Sequence, residues 1–171
     1  KLNYDSRKSF APIGLVSWLP YVMVTNPKSG LNSMQDLIEK SKVEPNKYTF
    51  ASIGNGSTSH LMMSMLTSQA EIKMTHIPYK GSSQSQTDLI GGQVDVTFDT
   101  VLTLMPHIKS GKLKALATGG LTRTSFAPDV PTVDELGLKG FNGGAWLGLF
   151  SPAGTPRPIV DRLHKELNAA L

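Results

Sequence analysis

Residues 48–69 read YTFASIGNGSTSHLMMSMLTSQ, and the order of residue types in this stretch decides the fold class. Tyr48–Ile53 is a short apolar run of strand type. From Thr58 to Gln69 the apolar residues Leu61, Met62, Met65 and Leu66 recur at helical spacing. Between them lies a loop of two glycines and small polar residues, Gly54, Asn55, Gly56 and Ser57. Such a loop has two readings. It is a tight turn that caps the helix, or it presents backbone N–H groups, backed by the helix dipole, to an anion.

The same alternation continues on the C-terminal side. Strand Lys73–Ile77 leads to a helix near Ser83–Ile90, strand Val94–Phe98 to a helix near Val101–Ser110, and Leu113–Thr118 is a further strand. Gly91-Gly92 and Gly111 stop the two helices. Successive strand–helix units require a parallel-type sheet flanked by helices, because parallel neighbours need crossover connections. The expected class is therefore α/β. On the N-terminal side, Phe10–Ser17 and Tyr21–Thr25 read as two extended segments broken at Leu19-Pro20, and Ser33 caps a helix. Beyond Thr118, Thr132-Val-Asp-Glu135 has a capping-box pattern and predicts one short helix. Gly144–Phe150 reads as a strand. Thr155-Pro156 opens a terminal helix with Ile159, Val160, Leu163 and Leu167 facing inward.

Composition removes several functions. The chain has 171 residues, 39% of them hydrophobic and 18% charged, as in globular proteins. Its net charge is +4, but the cations are dispersed, which predicts no nucleic-acid partner. The stretch Leu15–Val24 is too short for a membrane span and is interrupted by Pro20, so no direct membrane insertion is expected. With no cysteine, there is no disulfide, cysteine nucleophile or thiolate metal site. The four histidines, His60, His76, His107 and His164, are scattered, and no metal or cofactor is expected. Ser57, His60 and Asp99 do not make a hydrolytic triad. The first two are one helical turn apart, and no nucleophile elbow surrounds the serine, so no enzyme is expected.

In open α/β sheets, ligands sit at the carboxyl ends of the strands. Three segments share that edge: Gly54–Ser59, Pro78–Gly81 and Asp99–Thr100. Taken singly, His76 reads as a hydrogen-bonded histidine, Asp99 as a helix N-cap and Lys80 as a solvated charge.

Seven segments in order carry a resemblance: Tyr4-Asp5 with Lys8–Ile13, YTFASIGNGSTSH at 48–60, HIPYKG at 76–81, DLIGGQVDVTFD at 88–99, PHIKSGKLKALA at 106–117, APDVPTVDELGL at 127–138 and WLGLFSPAGTP at 146–156. The chain resembles the Bug or TctC-like substrate-binding proteins of tripartite tricarboxylate transporters. It departs from them at Thr100, where many members carry Asn. The resemblance implies a two-lobed, type II periplasmic-binding-protein architecture, with the second lobe complete and the first partial. Residues 1–16 would be a hinge crossing and first-lobe remnant, 17–118 the second lobe, 119–151 the return and hinge crossing, and 152–171 a first-lobe helix. It implies an exported, periplasmic protein that captures a small carboxylate for membrane transporter subunits. Asn55, Gly56, Ser57 and Thr58 would hold one carboxylate, on N–H groups around Gly56–Thr58, with Asp99 and Trp146 bordering the cleft. The alternative is the effector-binding domain of a transcriptional regulator with the same two-lobed fold.

Overall fold

The computed structural model describes residues 3–171. Its elements run β1 (Phe10–Thr25), α1 (Met34–Val43), β2 (Thr49–Ser52), α2 (Thr58–Gln69), β3 (Thr75–Pro78), α3 (Ser82–Ile90), β4 (Val96–Thr100), α4 (Val101–Lys109), β5 (Lys114–Thr118), β6 (Gly144–Pro152) and α5 (Arg157–Ala170), with a 3-10 turn at Pro27–Ser29. They form two compact units. One is Pro20–Gly144; the other joins the stretch through Leu19 to Ala145–Leu171.

In Pro20–Gly144 the sheet order is β3-β2-β4-β1-β5. Strand β2 is parallel to both β3 and β4, as the strand–helix alternation requires. The C-terminal ends of these three strands therefore open on one edge, which places Gly54–Ser59, Pro78–Gly81 and Asp99–Thr100 together there. Strand β1 is the departure from an all-parallel sheet: it lies antiparallel between β4 and β5. Its segment Tyr21–Thr25 is buried throughout, as a central strand must be.

The break expected at Leu19-Pro20 is absent, and β1 runs unbroken through it. What changes there is the partner. Pairing with β4 begins at Tyr21 and with β5 at Val22. Proline has no N–H to give a ladder, so it is tolerated where one ladder hands over to another.

The core of this unit has two faces, set by the alternation of strand side chains. Val22, Val24 and Ala51 pack with Leu89, Val94, Val101, Leu104 and Leu113. Met23 and its cross-strand partner Phe98 take the opposite face, where Phe98 stacks on Phe141 at 6.0 Å. At the start of α1, Ser33 Oγ accepts the Asp36 N–H (3.0 Å) and Asp36 Oδ2 accepts the Asn32 N–H (2.8 Å), so the expected cap is present. Thr132 forms its capping bond to the Glu135 N–H (3.0 Å), yet no helix follows. Gly137, in the left-handed region, ends the turn after one cycle, and Thr118 and Val133 tie the segment to β5 instead.

In the other unit, β1 pairs with β6, and His164 Nδ1 on α5 donates to the Ile13 carbonyl at 2.6 Å. The inward stripe expected on α5 is only partly covered. Val160 is buried, whereas Ile159 and Leu163 are 51% and 40% exposed. A two-stranded ribbon and one helix offer cover for little more than one helical position. Thr155 does not cap α5 either, because its hydroxyl donates to the Pro152 carbonyl at 2.8 Å.

Candidate functional site

The site is built on the junction of β2 and α2. Gly54 and Gly56 have φ of +123° and +77°, a left-handed backbone that glycine adopts without strain. These two turns fold the chain back so that Ser57 becomes the N-cap of α2. Ser57 is fully engaged. Its N–H and hydroxyl both go to the Gly54 carbonyl, at 3.2 and 2.7 Å, while Oγ accepts the His60 N–H at 3.4 Å. The Gly56 N–H is also used, by His60 Nδ1 at 3.0 Å. His60 thus stands at the position where a capping box has glutamate, but its return bond goes to Gly56, one residue before the N-cap.

The donors expected around Gly56–Thr58 are therefore redistributed. Gly56 and Ser57 shape the loop. Among the described residues, the N–H groups of Asn55, Thr58 and Ser59 find no protein acceptor. Thr58 and Ser59 are the first two residues of α2, where the helix dipole concentrates positive potential. No acidic residue stands in that first turn.

Asp99 behaves differently from a ligand contact. It is 3% exposed, and its oxygens are taken up within the unit: Oδ2 by the Ser82 hydroxyl and by Gln86 Nε2 (3.0 Å), Oδ1 by the Thr100 N–H (2.7 Å). Asp99 does not cap α4, whose N-cap is Thr100. It places a carboxylate of the chain itself at the starts of α3 and α4. The start of α2 is left without one.

Tyr21 joins these parts and was not singled out from the sequence. Its ring is buried, at 4% exposure, and Thr100 is its partner across the β1–β4 ladder. Burial first, and the Asp99 carboxylate second, hold its phenol above the ordinary tyrosine range; Thr58 acts in the opposite sense. Tyr21 therefore stands between the buried carboxylate and the first turn of α2. Its all-buried strand segment was legible, but its neighbours depend on the antiparallel insertion of β1. Ser82 and Gln86 escaped notice for the same kind of reason, since their shared partner is distant in sequence.

His76 Nε2 bonds Ser52 Oγ at 2.6 Å, and its ring stacks on those of Phe50 (4.7 Å) and His60 (4.2 Å). Burial and the neighbouring His60 keep its imidazole below the usual range. Trp146 lies on β6 in the other unit. It is 54% exposed and tilted against Phe150 at 6.2 Å. Ser57, His60 and Asp99 have no bond to one another beyond the helix cap, and each polar group has a different partner. No group of three or more metal-ligating side chains is found among the described residues. No helix among them is long and apolar enough to cross a membrane.

A family model described as the tripartite tricarboxylate transporter family receptor, TctC, matches residues 1–171. The chain belongs to this family. It is 35% identical over 170 residues to protein BugT of Bordetella pertussis strain Tohama I, covering 99% of this chain and 52% of that protein. Among solved structures it is similar to Rpa4515 of R. palustris with adipate, at 27% identity and a TM-score of 0.90, covering 99% of this chain and 56% of the other. It is also similar to MatC of Rhodopseudomonas palustris with bound malate, at 32% identity and a TM-score of 0.85, covering 99% and 58%. The chain spans about half the length of the curated relatives it matches. Its fold is the α/β fold of periplasmic binding proteins, and family and fold are those of substrate-binding proteins.

Proposed function

We propose that this chain is the carboxylate-capturing part of an extracytoplasmic, periplasmic solute-binding protein that serves a tripartite tricarboxylate-type transporter. The observation that carries this reading is the start of α2. Among the described residues it is the one helix start on the strand-end edge where glycine turns expose N–H groups, of Thr58 and Ser59, with no carboxylate beside them. A ligand carboxylate there accepts those N–H groups, with the Asn55 side chain and the Thr58 hydroxyl alongside. Solved family relatives with bound adipate and malate support a small carboxylate as the ligand class. Asp99 acts through Tyr21 and Thr58, behind the site.

The energetics call for more than this loop. A charge-assisted hydrogen bond contributes about 1.5–3 kcal/mol and a helix terminus about 0.3–1 kcal/mol. Micromolar affinity needs about 8 kcal/mol net of the cost of immobilising the ligand. In a chain of the relatives' length, we infer that closure of the two lobes over the ligand supplies the balance by excluding water. The lobe that holds α2 then brings the carboxylate donors.

Calorimetric titration with malate, adipate and citrate tests this reading, on this chain and on a protein of the relatives' full length. The expected result is saturable binding of at least one carboxylate by the longer protein, and binding at least about tenfold weaker by this chain. Equal affinities would contradict closure. No heat from any carboxylate with either protein would contradict the functional reading itself.

A further inference from the structure

Two stacked imidazoles hold the two ends of the candidate ligand loop. At its start, Ser52 Oγ lies 2.6 Å from His76 Nε2 and also accepts the Gly54 N–H at 3.2 Å. At its end, the Gly56 N–H goes to His60 Nδ1 at 3.0 Å. The two rings are 4.2 Å apart and 10° from parallel, and Phe50 supports His76 from β2. This geometry works in one charge state. An imidazole protonated at Nδ1 is a donor and can no longer accept the Gly56 N–H. Two imidazolium rings at that separation repel each other, with half-buried surroundings to carry the field.

His60 also explains why the loop is capped by histidine. A capping box normally uses Glu or Gln at this position. Glutamate would put a carboxylate beside the first turn of α2, where the proposed ligand places its own. Histidine instead accepts the Gly56 N–H, one residue before the N-cap, and when uncharged leaves the positive potential of the helix start uncancelled.

We propose that His60 and His76 are a proton-sensitive positioning pair for the ligand loop: with both imidazoles neutral the loop presents its donors, and acidification withdraws them. This deepens the function proposed above and rests on it for the ligand, though not for the loop. The groups facing the pair are few. Strand β2 brings Phe50 and Ser52, neither charged; the loop brings Gly56; α2 and β3 bring the two histidines themselves. The one charge acting on His76 is that of His60, and neither ring is ion-paired among the described residues. Because the folded state holds His76 below its ordinary value, the native loop binds fewer protons than the unfolded chain. Its contribution is present above about pH 6.5 and is lost as pH falls through the lowered folded value.

The test is an NMR titration of the labelled protein from about pH 8 to pH 5, following the Gly56 amide and the imidazole carbons. The expected result is a Gly56 amide that loses its hydrogen-bonded shift with the same midpoint as His60. In His60→Asn, whose side-chain oxygen accepts without titrating, that pH response flattens. Gly56 unmoved while the imidazoles titrate would overturn the proposal, as would an unchanged pH response in His60→Asn. In parallel, malate affinity, corrected for malate's own ionisation, stays level from about pH 8 to about pH 6.5 and falls below that, by up to about tenfold per pH unit for one coupled proton. Affinity that rises on acidification would also overturn it. Failure of malate and adipate to bind at any pH would count against the functional reading, and the Gly56 resonance would still decide the loop.

Discussion

Gly119→Ala is expected to destabilise the Pro20–Gly144 unit by about 3 kcal/mol, the upper end for overpacking a filled core. Nothing about the backbone dihedrals of Gly119 requires glycine; the space does. An added Cβ would stand 2.2 Å from the Met62 Cε and 2.7 Å from the Gly143 carbonyl oxygen. Met62 is 3% exposed and sits over both glycines, with Gly143 Cβ positions also within 3 Å of its side chain. The Gly143 N–H donates to the Gly119 carbonyl at 2.7 Å, so the two segments cannot part without losing that bond. Met62 belongs to the second turn of α2, one turn beyond Thr58. Its displacement therefore moves the helix that carries the proposed donors. Thermal unfolding checks this: the expected fall in Tm is about 6–12 °C for a domain of this size. A change under about 2 °C would show that the methionine yields without cost.

The second large effect is at Gly56, and its cause is the reverse. A Cβ at Gly56 meets nothing within 4 Å, but φ is +77°, a region closed to β-branched residues. Gly56→Val must either carry strain of about 1–3 kcal/mol or abandon the turn. Abandoning the turn removes the Gly56–His60 bond and misaims the N–H groups of Thr58 and Ser59. Losing two charge-assisted bonds of about 1.5–3 kcal/mol each predicts carboxylate binding weakened by more than about a hundredfold. Asparagine tolerates this conformation far better, so Gly56→Asn is expected to retain most of the affinity. Calorimetry on both variants separates the conformational cause from bulk. If Val and Asn weaken binding equally, the left-handed turn is not what matters.

Much of this architecture was legible from local pattern. The strand, glycine loop and helix at 48–69 have the predicted order, because periodicity and turn residues act over a few positions. The parallel relation of β2, β3 and β4 followed from the intervening helices, and with it the common edge of the three loops. What local pattern could not reach was pairing between distant segments. Tyr21–Thr25 reads as a buried strand in either direction, so its antiparallel place between β4 and β5 was hidden. With it went the meeting of Tyr21, Asp99 and Thr58. The Thr132–Glu135 box shows the complementary failure: its capping bond forms, but Gly137 and the attachment to β5 override the helix. On α5, an apolar stripe of the right period at Ile159 and Leu163 stays exposed, because the β1–β6 ribbon and one helix bury little beyond Val160. At the site, the loop was found while the use of each donor was not. That the Gly56 N–H goes to His60 depends on side-chain geometry that spacing alone leaves open.

The central claim is that a carboxylate sits on the first turn of α2. Its most direct test is the amide spectrum of nitrogen-15-labelled protein titrated with malate or adipate at neutral pH. Saturable downfield shifts of the Thr58 and Ser59 amides are expected, with the Gly56 amide, already bonded to His60, moving less. Saturable binding that leaves Thr58 and Ser59 unmoved would contradict it.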